Sequence, residues 1–237
     1  IYNGPMLRLA VDADPGDDTD GNGEMVMARN AMFTSPGTLM RINDSNIGNM
    51  WNRIPINWLQ NAAAGAPNAY ADTVNFGQFN RNRIGSIRYG WMCAMTAGLT
   101  FSPPPNGQWS EQELDALDAL VWFHHAVGPY MYSAAVESHA TGYPHTMTPL
   151  PIAFPDDEGG YNIANTTDQM FEWMIGPSLL ATPLMHSRYG STNRMDIYLP
   201  PGKWMDYNTG EIYEGPTTLE DFEMRPEAVP AFVGGAG

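Results

Sequence analysis

Cysteine occurs once in 237 residues, at Cys93, and lysine once, at Lys203. A single thiol excludes an intrachain disulfide, a zinc knuckle and a dithiol redox pair, so Cys93 reads as a buried apolar residue. Basic residues are scarce altogether, 11 against 26 acidic ones, and the formal charge of -15 would repel a phosphate backbone rather than neutralise it. Nucleic-acid binding is thereby excluded, whereas a neutral glycan is compatible. No run of about 18 consecutive apolar residues exists, which leaves no candidate membrane-spanning helix. The chain opens at Ile1 with no initiator methionine, basic leader or apolar segment, so any signal peptide is expected to be absent or already removed. The compartment stays open, with a secreted or periplasmic one favoured.

What is plentiful is turn chemistry. With 24 Gly and 20 Pro beside 43% hydrophobic residues, the composition is that of a globular protein with many loops. The length suits one domain, or one domain and a small second one. Met6 to Val11 reads as a strand ending in Asp12-Ala13-Asp14-Pro15-Gly16. In the next stretch, GDDTDGNG, Asp17, Asp18 and Asp20 gather hard oxygens, but no glutamate stands at the twelfth position of a calcium loop, so a solvated turn is expected. No metal and no cofactor are expected. Glu24 to Phe33 reads as a short helix and Thr38 to Ile42 as a second strand.

The strongest local signals come later. Ser110 with Glu113 three residues on has the spacing of a capping box, and apolar residues recur from Leu114 to Ala135 at helical intervals. Gly142 and Pro144 give the stop. The spacing predicts a helix over Glu111 to Thr141, broken near Pro129, and then a buried strand over Thr146 to Phe154 ended by the turn Pro155-Asp156-Asp157. His124 and His125 point about 100° apart on that helix and cannot share a metal as an i, i+4 pair could. Asp196 to Leu199 reads as a strand closed by a Pro201-Gly202 turn, and Asn208-Thr209-Gly210-Glu211 as a hairpin turn. After about Met185 helical periodicity is gone and antiparallel β-structure is expected.

Pro129-Tyr130-Met131-Tyr132, Glu137, His139, Gly142, Pro144, Met147, Pro149-Leu150 and Phe154-Pro155-Asp156-Asp157 together resemble the late barrel region of glycoside hydrolase family 31, the α-glucosidase and α-xylosidase family. The resemblance continues through Gly176, Leu179 to Pro183, Asp196 to Trp204 and Val229 to Val233. It implies an α/β fold: the C-terminal part of a (β/α)8 TIM-type barrel over residues 1–184, followed by the start of a small antiparallel β-domain over 185–237. A complete barrel runs to about 250 residues. The chain is therefore expected to be a fragment or subunit that needs an N-terminal half of the same enzyme, and both of its ends read as interior sequence.

The family's chemistry is retaining hydrolysis by two carboxylates, one attacking the anomeric carbon and one protonating the leaving oxygen. In the family a barrel strand ends in Gly-Asp-Asn, whose aspartate is the acid/base, and Asn43-Asp44-Ser45 after the Thr38 to Ile42 strand nominates Asp44. Asp12 is the counterpart nominated as nucleophile; an aspartate before Pro-Gly is also an ordinary turn former. Asn75-Phe76-Gly77-Gln78-Phe79 resembles the family's Asp-Ile-Gly-Gly-Phe with Asn75 in place of the aspartate, so Asn75 is nominated for substrate binding. Trp51 and Trp91 are nominated as sugar-stacking rings. Arg88 to Pro103 resembles the segment before the family's sugar-binding Arg and His, but Pro104-Pro105-Asn106-Gly107 stands where those residues belong. The implied substrate is an oligosaccharide or other glycoside. The alternative is a non-catalytic carbohydrate-binding or structural remnant of the same fold, which Asn75 and the missing Arg and His favour.

Overall fold

Parallel strands come first. β1 (Met27–Ala28) pairs in parallel with β2 (Leu39–Ile42), and β2 with β3 (Ala69–Ala71), the return from β2 to β3 running through helix α1 (Arg53–Ala63). β4 (Val74–Asn75) pairs in parallel with β5 (Phe101–Ser102) across α2 (Arg83–Ala94). Parallel neighbours must start from the same end, so each return needs a crossover, which α1 supplies between β2 and β3 and α2 between β4 and β5. The computed structural model describes residues 27–28, 39–42, 53–71, 74–75, 83–99, 101–102, 109–162, 171–185 and 190–235. The strand expected at Met6 to Val11, the GDDTDGNG turn and the Pro104 to Gly107 segment lie outside them. The helix expected over Glu24 to Phe33 gives way to β1, whose backbone joins a ladder with Leu39 and Met40 instead of pairing within a helix.

Pro55 lies in the first turn of α1, where a missing N–H has no helical partner to lose. One turn apart on that helix, Trp58 and Ala62 are fully buried. Gly65 ends it at φ +89°, the left-handed conformation that favours glycine. α2 is buried from Gly85 to Ala94 without interruption, so it runs through the centre of the packing rather than along its surface.

α3 spans Glu111–Thr141. The capping box is complete: the Ser110 hydroxyl accepts the Glu113 N–H at 3.3 Å, and the Glu113 carboxylate accepts the Ser110 N–H at 2.8 Å. Gly142, at φ 76°, donates its N–H to Ser138 at 2.9 Å and closes the other end. The break expected near Pro129 is absent, and the helix continues through it. An interior proline costs about 3 kcal/mol. Leu117, Leu120, Phe123 and Met131 are buried on either side of it, and at about 1.5–3 kcal/mol each they outweigh that loss.

Thr146 to Phe154 is also not the strand expected. It is a two-residue bridge, β6 (Thr148–Pro149), followed by a helical turn, α4 (Leu150–Ala153). Pro149 caps the turn and Pro151 sits in it, both positions where the ring's fixed φ suits helix initiation and no donor is lost. α5 (Glu158–Asn162) follows the Pro155-Asp156 turn. β7 (Trp173–Ile175), β8 (Leu179–Ala181), β9 (Arg194–Asp206), β10 (Ile212–Glu223) and β11 (Ala231–Gly235) complete an antiparallel six-stranded sheet in the order β10-β9-β11-β8-β7-β6. Antiparallel pairing thus begins at Thr148, well before Met185. The Pro201-Gly202 turn is absent as well: β9 runs on through both residues, and the register against β10 slips between Gly215 and Thr217. Prolines cannot donate to the ladder, and a bulge accommodates them.

Period-2 alternation divides the sheet's two faces. Trp173, Ile175, Leu179 and Ala181 join a core shared with α1, α2 and α3, whereas Met174 and Leu180 join Ile197, Leu199, Trp204 and Phe232 in a second core. One face of the sheet is therefore committed to the helices.

Candidate functional site

Parallel strands of this kind carry functional groups at their C-terminal ends. β2 ends at Ile42 and β4 at Asn75, the latter opposite Ser102 on β5. Asp44 follows β2 by two residues and lies outside the described residues, as do Asp12 and Trp51. Asn75 is the last residue of β4. Trp91 departs from its nomination: it is 1% exposed, its ring packs edge-on against Phe123 at 5.8 Å, and its indole N–H is donated to the Pro226 carbonyl at 2.6 Å. Enclosed on this scale, the ring has no face for a sugar to stack on.

Trp91 is half of a clamp. One turn earlier on α2, Arg88 is 1% exposed and donates to the carbonyls of Met224 and Arg225 and to the Asn193 side chain. Burial pulls its guanidinium down to about 10, partly offset by Glu227, so it stays charged at neutral pH. Arg88 and Trp91 together fasten the central helix to the 224–226 turn that joins β10 to β11.

A second polar cluster lies under α5. The Tyr198 hydroxyl donates to both oxygens of Asp157 at 2.7 Å, and Asp157 also accepts the Gly159 N–H at 3.2 Å. Burial, then the Asp157 carboxylate, raises the Tyr198 pKa. A Cβ at Gly159 would collide with the Tyr198 ring, so only glycine fits there. Beside it Glu172 is fully enclosed: Oε1 accepts the Tyr198 N–H at 2.9 Å, while Oε2 is buried without a partner. Burial pushes the Glu172 carboxyl well above its ordinary value. It borders a cavity of about 260 Å³ with Ile56, Leu59, Pro151 and Phe171. Neither cluster was nominated from sequence, although a glutamate inside the apolar run Phe171-Glu172-Trp173-Met174-Ile175 is a signal of a buried ionisable group.

Cys93 is buried and free, and burial pushes its thiol up, which removes it as a nucleophile. His124 is half-buried, with Nδ1 2.9 Å from the Ala94 carbonyl, while His125 is exposed. Among the described residues no three His, Cys, Asp or Glu side chains are grouped to hold a metal. None of the described helices is long and apolar enough to cross a membrane.

The sequence profile of the glycosyl hydrolase family 31 C-terminal domain matches residues 142–236. Residues 142–236 are thus similar to the C-terminal domain of glycosyl hydrolase family 31. The chain is 40% identical over 87 residues to alpha-glucosidase 2 of Bacillus thermoamyloliquefaciens, a match covering 37% of this chain and 10% of that enzyme. In fold it resembles a family 31 alpha-xylosidase from a soil metagenome solved with xylose, at a TM-score of 0.75 and 20% identity over 100% of this chain and 38% of that one. It also resembles a family 31 dextranase of Flavobacterium johnsoniae solved with glucose, at a TM-score of 0.75 and 18% identity over 98% of this chain and 29% of that one. The chain thus spans well under half the length of these proteins.

Proposed function

We propose that this chain is the C-terminal part of the catalytic (β/α)8 barrel, ending ahead of the antiparallel sheet that begins at Thr148, together with the start of the adjoining β-domain, in a retaining α-glycoside hydrolase of α-glucosidase type. The observation that carries the reading is the coincidence of the family 31 C-terminal domain match over residues 142–236 with two successive parallel β-α-β units ahead of the antiparallel sheet. Asp44, two residues beyond the end of β2, is the proton donor to the leaving oxygen and afterwards the base that activates water. Asp12 is the nucleophile, Asn75 at the end of β4 binds sugar hydroxyls, and Trp51 offers a stacking ring. The N-terminal half of the same enzyme completes the barrel, and the substrate is an oligosaccharide or other glycoside.

The test is Asp44→Asn in the complete enzyme. Turnover of glycosides with poor leaving groups should fall by at least about 10²-fold, the usual worth of a positioned general acid, while activated aryl glycosides lose much less in the first step. Azide should restore part of the activity by attacking the covalent intermediate without a general base. Unchanged turnover of both substrates in an active preparation would remove Asp44 from the chemistry.

One observation favours a second reading. Asn75 stands where the family carries an aspartate, and Pro104 to Gly107 where it carries Arg and His, so a non-catalytic, carbohydrate-binding member would be consistent with those positions. Saturable glycan binding with no turnover by the complete protein would select it.

A further inference from the structure

Glu172 sits where an ionised carboxylate would have little to answer it. The residue precedes β7 and is 3% exposed; Oε1 accepts the Tyr198 N–H at 2.9 Å and Oε2 is enclosed without a partner. A buried charge is tolerated when it is paired or fully hydrogen-bonded. Among the described residues that bond to Glu172 or share its cavity, none is a cation, and only Tyr198 and Tyr161 can titrate. Tyr198 keeps its proton at neutral pH, since burial and then Asp157 raise it. Asp157 lies beyond the Tyr198 hydroxyl, and Glu158, next in sequence, is exposed. Burial accordingly holds the Glu172 carboxyl well above its ordinary value.

The cavity of about 260 Å³ that Glu172 borders has room for several waters. Two of its lining residues, Gln60 of α1 and Tyr161 of α5, are exposed, so it lies close to solvent between those helices. α5 is the loosely held part of the wall. Leu150 anchors α4 in the second core at 1% exposed, whereas α5 has five residues, two of them glycine, and its one ring, Tyr161, is 51% exposed. A segment that buries so little apolar surface has a low local stability. What ties it to the sheet is the Tyr198 hydroxyl, donated to both oxygens of Asp157 at the foot of the helix.

We propose that α5 is a proton-controlled cover for this cavity: it stays shut while Glu172 is neutral, and when Glu172 releases its proton to water the cavity fills with water and α5 lifts. Tyr198 joins the two events, because its N–H holds the carboxyl while its hydroxyl holds Asp157. β9 stays in place, with Tyr198 in register with Thr218 on β10. Lifting costs the contact between Tyr198 and Asp157, and hydration of both Glu172 oxygens offsets that cost. In the open form the carboxyl returns to its ordinary value of 4.5. The closed form is therefore at full strength below that pH and loses ground as pH rises through the closed-state pKa.

The test is amide hydrogen exchange on the complete polypeptide from about pH 5 to about pH 8, each rate divided by the intrinsic rate at that pH to give the opening equilibrium. In peptides covering Pro155 to Asn162, opening should rise about tenfold per pH unit until it levels at the closed-state pKa, one proton being released per opening. Peptides from β9 and β10 should show no such slope. In Glu172→Gln, which keeps the acceptor for the Tyr198 N–H, the α5 peptides should lose the slope. Tyr198→Phe, which keeps the carboxyl, should open more at every pH with the slope retained, and it serves as the second variant should Glu172→Gln not fold. No slope in the wild type would overturn the proposal, as would the same slope throughout the chain, which would mark global rather than local opening. A slope that survives in Glu172→Gln, or one that vanishes in Tyr198→Phe, would assign the titration to another group and overturn it too.

Discussion

Glu172→Gln should flatten the pH dependence of stability. The carboxyl is wholly enclosed, with one oxygen accepting the Tyr198 N–H and the other without a partner, so burial favours its neutral form in the folded protein. The folded-state pKa lies above the ordinary value of 4.5, so the neutral group's contribution is fully present below that value and is lost as pH rises through the folded pKa. Over that window stability should fall by up to about 1.4 kcal/mol per pH unit. For a domain of this size, about 1 kcal/mol corresponds to about 2–4 °C in Tm, so the slope should approach about 3–5 °C per pH unit. Glutamine keeps the acceptor for the Tyr198 N–H and cannot ionise. Thermal melts of wild type and Glu172→Gln from about pH 5 to about pH 8 isolate this one group as their difference. The two should converge at the acid end, with the variant pulling ahead as pH rises. A difference that stays constant across the range would refute the reasoning, since it would mean that Glu172 titrates alike in the folded and unfolded chain.

Arg88→Lys should destabilise by about 2–4 kcal/mol in denaturant melts, because one ammonium cannot span three acceptors and leaves buried carbonyls short of a donor; a change under about 0.5 kcal/mol would show that the clamp contributes little. Tyr198→Phe should cost about 1–2 kcal/mol by the same assay, reflecting the hydroxyl shared by both Asp157 oxygens. It should also speed amide exchange in α5, and unchanged exchange there would mean that Asp157 is held by its turn alone.

Elements with local causes were readable in the sequence. Ser110, Glu113 and Gly142 set the limits of α3 through contacts within four residues, and the Asn208-Thr209-Gly210 turn is likewise local. The misreadings share a different origin. Pro129 and Pro201 each signalled a break, yet packing overrode the first and a bulge absorbed the second, while Pro149, read as lying inside a strand, caps a helical turn. Trp91 was read as a binding ring because aromatic type says nothing of burial, and its partner Pro226 lies 135 positions away. Glu172 and Tyr198, 26 positions apart, escaped for the same reason. Of the nominated residues, Asn75 is the last residue of β4 and Trp91 lies in the core, while Asp44, Asp12 and Trp51 lie outside the described residues.

The clamp from α2 reaches mostly carbonyl oxygens, those of Met224, Arg225 and Pro226, and carbonyls are the part of a residue that substitution leaves in place. Mutational tolerance across this contact should therefore be lopsided. The turn can drift through many side chains while its path is kept, whereas the helix has little freedom at Arg88 and Trp91. A library randomised over 224–226 and one randomised over 88 and 91 would record that asymmetry as very different surviving fractions.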